Sequence, residues 1–139
     1  MVDIYVEYQG QLHCRAEHGP SSAVLVTDAP VDNQGRGESF SPTDLIATGL
    51  GTCMATVMGI LAKKRGYALE GVRVHVKKTM TNAAPRRIAE LAVSITIPKS
   101  ATDSVAGARG ELEQTAHQCP VRLSLLEGIR VPVAFEWQG

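Results

Sequence analysis

Apolar and polar positions alternate from the start of the chain. Ile4, Val6 and Tyr8 alternate with Asp3, Tyr5 and Glu7, and beyond Gln9-Gly10 the residues Leu12, Cys14 and Ala16 alternate with His13, Arg15 and Glu17. A period of two on either side of a glycine turn predicts a β-hairpin. His18-Gly19-Pro20 interrupts the pattern, and the apolar, β-prone Ala23–Thr27 reads as a third strand, so residues 1–27 form an N-terminal β-meander. Residues 28–40 show neither periodicity and contain Pro30, Gly35 and Gly37, which predicts a loop long enough to carry function. Residues 41–65 then switch to helical spacing. Ser41 suits the N-cap, Pro42 the first helical position, and Asp44 completes a capping box with Asp in place of Glu. Lys63, Lys64 and Arg65 complement the C-terminal dipole, and Gly66 suits a left-handed cap. No charge falls between Leu45 and Ala62. Ile46, Leu50, Cys53, Val57 and Ile60 recur at three- and four-residue steps, which predicts a shared face with Cys53 at its centre.

Residues 71–139 read as two strands, two helices and a final strand. Val72, Val74 and Val76 alternate with Arg73, His75 and Lys77, and after a turn region at 82–85 Leu91, Val93, Ile95 and Ile97 alternate with Ala92, Ser94 and Thr96, a second antiparallel pair. Thr102–His117 reads as one helix with Val105, Leu112 and Ala116 on its apolar face, although Gly107 and Gly110 weaken it. Pro120 opens a short helix over 121–127, placing Cys119 just before its first turn, and Gly128 ends it. Ile129–Trp137 alternates once more, with Pro132 marking an edge strand or a bulge. The expected fold is α+β: a single domain over residues 1–139 with antiparallel sheets wrapped around a central buried helix. A helix apolar on every side needs cover all round. These few elements offer too little of it, and a homodimer would supply the rest.

Charge and cysteine content narrow the function. Fourteen basic and fourteen acidic residues balance to zero, so no broad electrostatic footprint for nucleic acid or an anionic membrane exists. The N-terminus lacks the basic-then-apolar signature of an export signal, and a cytoplasmic location is expected. The uncharged run reaches the lower length limit of a membrane span, but Thr48, Gly49, Gly51, Thr52, Thr56 and Gly59 dilute it. Cover by protein, and no membrane, is the expectation. Three cysteines, Cys14, Cys53 and Cys119, make an odd number with no close pair, which argues against a disulfide framework and against zinc. Cys14 reads as a packed strand residue, and His117 as a partner of helix-terminal carbonyls before a metal ligand.

Cys53 is then either inert core or chemistry. A thiol at a helix start, as at Cys119, meets unpaired N–H groups that favour thiolate. Cys53 lacks that advantage in mid-helix and would need a neighbouring cation, since burial alone raises a thiol's pKa; Arg36 and Arg15 are the candidates. Asp44 is either only a cap or also a carboxylate that orients an arginine.

SPTDLIATGLGTCMATV together with the later QCPVRLSLL resembles the OsmC/Ohr family of thiol peroxidases, and the OsmC-like branch most. The resemblance implies an intertwined homodimer with two sites at the subunit interface, in which Cys53 is the peroxidatic cysteine and Cys119 the resolving one. It implies reduction of organic hydroperoxides or hydrogen peroxide through a sulfenic acid and an intramolecular disulfide, as protection against oxidative stress. An external dithiol, typically a lipoyl group, would restore the thiols, with no metal or flavin cofactor. The chain departs from the hydroperoxide-resistance branch in two ways. Thr43 follows the helix-start Pro where that branch has Glu, with Asp44 matching the acidic position of the OsmC-like branch. The first hairpin turn, Tyr8-Gln9-Gly10-Gln11, lacks that branch's arginine, which leaves Arg15 or Arg36. Two other readings stand beside this one: a non-catalytic dimer that holds a small hydrophobic molecule or senses redox state, and, more weakly, a thiol metal site.

Overall fold

Alternation at the N-terminus produces three antiparallel strands, β1 (Ile4–Tyr8), β2 (His13–His18) and β3 (Val24–Asp28), in the order β1-β2-β3. The computed structural model describes residues 1–139 and resolves them into two units, Met1–Ile46 and Ala47–Gly139. In the first unit Tyr8 lies opposite Cys14 and Cys14 opposite Thr27, so these three share one face; Arg15, opposite Glu7 and Val26, takes the other. The sheet buries none of its large apolar side chains. Ile4, Val6, Tyr8 and Leu25 on one face, and Tyr5, Val24 and Val26 on the other, are all exposed.

The loop after β3 folds back on itself. A 3-10 turn at Val31–Asn33 is closed by Asn33 and Gly35 N–H groups donating to the Pro30 carbonyl, both at 2.9 Å, and by Gly37 N–H donating to Ala29 at 3.2 Å. A Cβ on residue 35 would lie 1.7 Å from the Ala29 carbonyl oxygen, so only glycine fits.

Helix α1 (Pro42–Arg65) starts on the expected capping box: the Ser41 hydroxyl accepts the Asp44 N–H at 3.1 Å and the Asp44 carboxylate accepts the Ser41 N–H at 2.9 Å. The buried face differs from the expected one. Ala47, Leu50, Gly51, Met54, Met58 and Ala62 are buried, whereas Cys53 and Val57 are half-buried and Ile46 and Ile60 exposed. Met54 points about 100° round the axis from Cys53. A run without charges offers several apolar stripes at helical spacing, and close packing selected the one with the smallest residues. A Cβ at Gly51 would come within 3.0 Å of Val76. By length and composition α1 could cross a membrane; here its Leu50-Met54-Met58 stripe belongs to the core.

The second unit holds that core. Strands β4 (Arg73–Met80), β5 (Ile88–Ile97) and β6 (Val133–Trp137) form a sheet with β5 central, and Leu91, Val93, Ile95 and Ile97 are buried as their alternation requires. The expectation of wholly antiparallel sheets fails at one pairing: β4 runs antiparallel to β5, but β6 runs parallel to it. The helical segment between β5 and β6 provides the crossover a parallel pair needs. Pro132 falls just before β6 on the sheet edge, where its missing N–H costs nothing and its carbonyl accepts the Val93 N–H at 2.8 Å.

That segment is three helices, α2 (Lys99–Val105), α3 (Arg109–His117) and α4 (Pro120–Ser124), where two were expected. Ala106 adopts a φ of 54° and, with Gly107 following, breaks the predicted 102–117 helix. Val105, Leu112 and Ala116 are nevertheless fully buried. Helix α4 ends at Ser124, short of the predicted 127, because Leu125 is extended.

Candidate functional site

The second unit brings two of the candidate residues together. Helix α1 presents Cys53 at the edge of its buried stripe, half-accessible, one residue before the core residue Met54. Cys119 is the N-cap of α4, with extended backbone, Pro120 next to it and no exposed surface. Its Sγ accepts the Arg122 N–H at 3.3 Å, its own N–H donates to Ala116 at 3.3 Å and its carbonyl accepts the Leu123 N–H at 3.1 Å, so the backbone holds it from both sides. Both side chains pack on the same core cluster, with the Cys53 sulfur near enough to bear on the Cys119 proton, and both are free thiols.

Burial pushes the Cys119 thiol above its ordinary range. The Arg122 N–H draws it back down, while the neighbouring Cys53 sulfur and charge on it push it up further. This reverses the expectation of an acidic Cys119. Helix α4 has only five residues, too few dipoles to outweigh complete desolvation.

The remaining candidates lie in the first unit, and the two arginines each meet a carboxylate. Arg15 Nη2 meets Glu17 Oε2 at 3.0 Å, and Arg15 also faces Glu7 across the β1–β2 ladder. Arg36 Nη2 lies 3.8 Å from Asp28 Oδ1. Asp44 serves in the capping box of α1. The sequence reading missed Asp28 and His13: the Asp28 carboxylate is buried, with His13 Nδ1 2.7 Å from Oδ1. The signal was available, since a register with Cys14 opposite Thr27 puts His13 opposite Asp28. His117 packs edge-on against Phe135, ring centres 5.9 Å apart. No three His, Cys, Asp or Glu side chains gather as metal ligands would.

The family model described as OsmC-like protein matches residues 35–134. A Psychrobacter arcticus 273-4 structure, described as that of an osmotic stress induced and detoxification response protein, is similar at 40% identity and a TM-score of 0.89, covering 98% of this chain and 96% of the other. The Legionella pneumophila organic hydroperoxide resistance protein OsmC is similar at 16% identity, TM-score 0.75, over 98% and 96% of the two chains. An organic hydroperoxide resistance protein of Elizabethkingia anophelis is similar at 15% identity, TM-score 0.76, over 99% and 96%. The last two likenesses are of fold alone. No curated protein matches the chain.

Proposed function

The chain belongs to the OsmC-like family, and from that membership we propose that it is a cysteine-dependent peroxidase reducing organic hydroperoxides or hydrogen peroxide. The observation that carries the reading is that Cys53 and Cys119, far apart in sequence, pack on the same core cluster, with the Cys53 sulfur near enough to raise the pKa of the Cys119 thiol. Cys53 thiolate attacks the terminal oxygen of R–O–OH, breaking the O–O bond; the departing alkoxide takes a proton and leaves as alcohol, or water from hydrogen peroxide. Cys53 is left as sulfenic acid. The Cys119 sulfur then attacks the Cys53 sulfur, a disulfide forms and water departs with the Cys119 proton. An external dithiol, such as a lipoyl group, reduces the disulfide by exchange and is itself oxidised. No metal or flavin enters these steps.

Arg36 is the arginine assigned to stabilise the Cys53 thiolate, with Arg15 the alternative. Arg15 is hydrogen-bonded to Glu17, whereas Arg36 meets its carboxylate only at 3.8 Å, so its planar donor array stays available to an anion. Asp44 fixes the first turn of the helix that carries Cys53. The functional unit in this reading is a homodimer. An N-terminal sheet with Ile4, Val6, Tyr8, Val24 and Leu25 all exposed, and a long helix with Ile46 and Ile60 exposed, supports a second copy as their cover. Free thiols fit a reducing, cytoplasmic compartment.

The test is stopped-flow reduction of cumene hydroperoxide and tert-butyl hydroperoxide with a dithiol reductant, with mass spectrometry of the oxidised protein. A Cys53–Cys119 disulfide and turnover abolished by Cys53→Ser are expected; no turnover and no disulfide would sink the reading. A second reading, a module for a small hydrophobic molecule, draws on a cleft of about 490 Å³ lined by Met58, Ala62, Tyr67, Leu69 and Val72 among others. A lipid-like mass retained in native mass spectrometry and unaffected by Cys53→Ser would favour it.

A further inference from the structure

Asp28 is a residue the mechanism above does not use. It is 2% exposed, and a buried carboxylate is costly unless paired. Its own N–H already donates to the Phe40 carbonyl at 3.1 Å, and the carboxylate accepts no backbone N–H. Its partners are two side chains on one oxygen: His13 Nδ1 at 2.7 Å and Arg36 Nη2 at 3.8 Å. The chain has gone to some length to bring Arg36 there. The loop closes on Ala29 and Pro30 through three backbone hydrogen bonds, and residue 35, immediately before Arg36, approaches Ala29 so closely that only glycine fits. Plain satisfaction of the end of β3 would not call for a carboxylate.

We propose that Asp28 is the positioning residue for Arg36: held by His13, its buried charge fixes where the guanidinium of the loop is presented. The proposal rests on Arg36 being the arginine that serves Cys53. His13 occupies one side of the carboxylate by hydrogen bond, which orients Oδ1. Arg36 is half-exposed and long, so without a fixed anion nearby it would sample many rotamers and present its donors only part of the time. A charge at 3.8 Å that is not locked into a hydrogen bond restricts this motion while leaving the donors available to a thiolate or a departing oxygen.

The test is the pH dependence of Cys53 alkylation by iodoacetamide, read site by site by mass spectrometry, alongside the second-order rate of cumene hydroperoxide reduction. Arg36→Met should raise the Cys53 midpoint by about one pH unit. Asp28→Asn, which keeps the shape and removes the charge, should raise it by a fraction of that and slow peroxide reduction several-fold, and the double variant should match Arg36→Met alone. Asp28→Glu keeps the charge with one methylene too many. If Asp28 only filled space, the isosteric Asn would be the better tolerated of the two; positioning by charge predicts that Glu restores the midpoint and the rate better. Should Asp28→Asn not fold, the Glu variant decides: a midpoint closer to the native value than to that of Arg36→Met supports the proposal, and one as far shifted as Arg36→Met overturns it. A midpoint moved by Arg36→Met but untouched by Asp28→Asn overturns the positioning role and leaves the Arg36 assignment standing. A midpoint untouched by Arg36→Met overturns both.

Discussion

Replacing Cys119 by alanine separates what this residue does for stability from what it does for chemistry. The substitution removes a fully buried sulfur, worth about 1 kcal/mol by comparison with a buried methylene. It also removes the N-cap acceptor of the Arg122 N–H; sulfur is a weak acceptor, so this costs about 0.5 kcal/mol, the low end for lost caps. A loss of about 1.5 kcal/mol near pH 7 follows, or a fall in Tm of about 5 °C for a chain of this size. The loss should shrink in alkali. The Cys119 pKa is raised in the fold, chiefly by burial, so between the unfolded thiol's pKa, about 8.5, and the folded one the native state keeps a proton that the unfolded chain has given up. Stability then falls as pH rises through that window, by at most about 1.4 kcal/mol per pH unit, and below it the thiol contributes no pH dependence. Alanine has no proton to keep and escapes this fall. Urea unfolding under reducing conditions, at fixed protein concentration and at pH 7.0 and 9.5, is the assay. A gap between native and Cys119→Ala that stays constant or widens at the higher pH, or one beyond about 3 kcal/mol at pH 7, would refute the reasoning.

Gly51→Val drives a branched side chain toward Val76, already 3.0 Å from where its Cβ must sit; a loss of about 2 kcal/mol or more in urea unfolding is expected, and an unchanged midpoint would mean α1 and β4 are not packed so closely. Asp44→Ala opens the capping box and should cost about 1 kcal/mol, with a null result pointing to another group capping α1. Leu50→Ala, at a site with no exposed surface, should cost about 2–5 kcal/mol, whereas Thr52→Ala on the exposed side should stay within about 0.5 kcal/mol; equal effects would place the buried stripe wrongly. Val6→Lys charges the exposed apolar sheet and should shift sedimentation from a two-chain to a one-chain species, while a native protein that sediments as one chain would remove the case for a homodimer.

What was legible in the sequence was local. The capping box, the N-terminal hairpin alternation and the buried alternation of β5 depend on residues a few positions apart, and each follows from a period or a pair of side chains. The face of α1 did not, because a segment without charges leaves the choice of stripe to its neighbours; Met54 and Met58 prevailed where Val74 and Val76 approach Gly51. The direction of β6 was equally hidden, since alternation is the same whichever way a strand runs and only the path through α2 to α4 decides. In the candidate site, Cys53 and Cys119 were named by resemblance and by context, but their contact is a property of packing over more than sixty residues of chain. Asp28 stands at the boundary between an apolar run and a loop, and its pairing with His13 comes from the β2–β3 register of the folded sheet.

The reversal at Cys119 bears on which thiol is the nucleophile, independently of any relative. Helix-start logic made Cys119 the more acidic candidate, but that logic assumes access to solvent and a helix long enough to have a dipole. The fold provides neither: the sulfur has no exposed surface and α4 has five residues. A thiol so placed is a poor first attacker, because both an incoming hydroperoxide and a stabilising cation are kept from it. The proposed mechanism gives it the second step, in which it gives up its proton only as the bond to the Cys53 sulfur forms. Cys53, half-accessible on a helix whose other side is locked in the core, has the complementary properties: reach toward solvent and a fixed backbone. In the proposed mechanism, burial therefore argues for the order of the two cysteines with the buried one second.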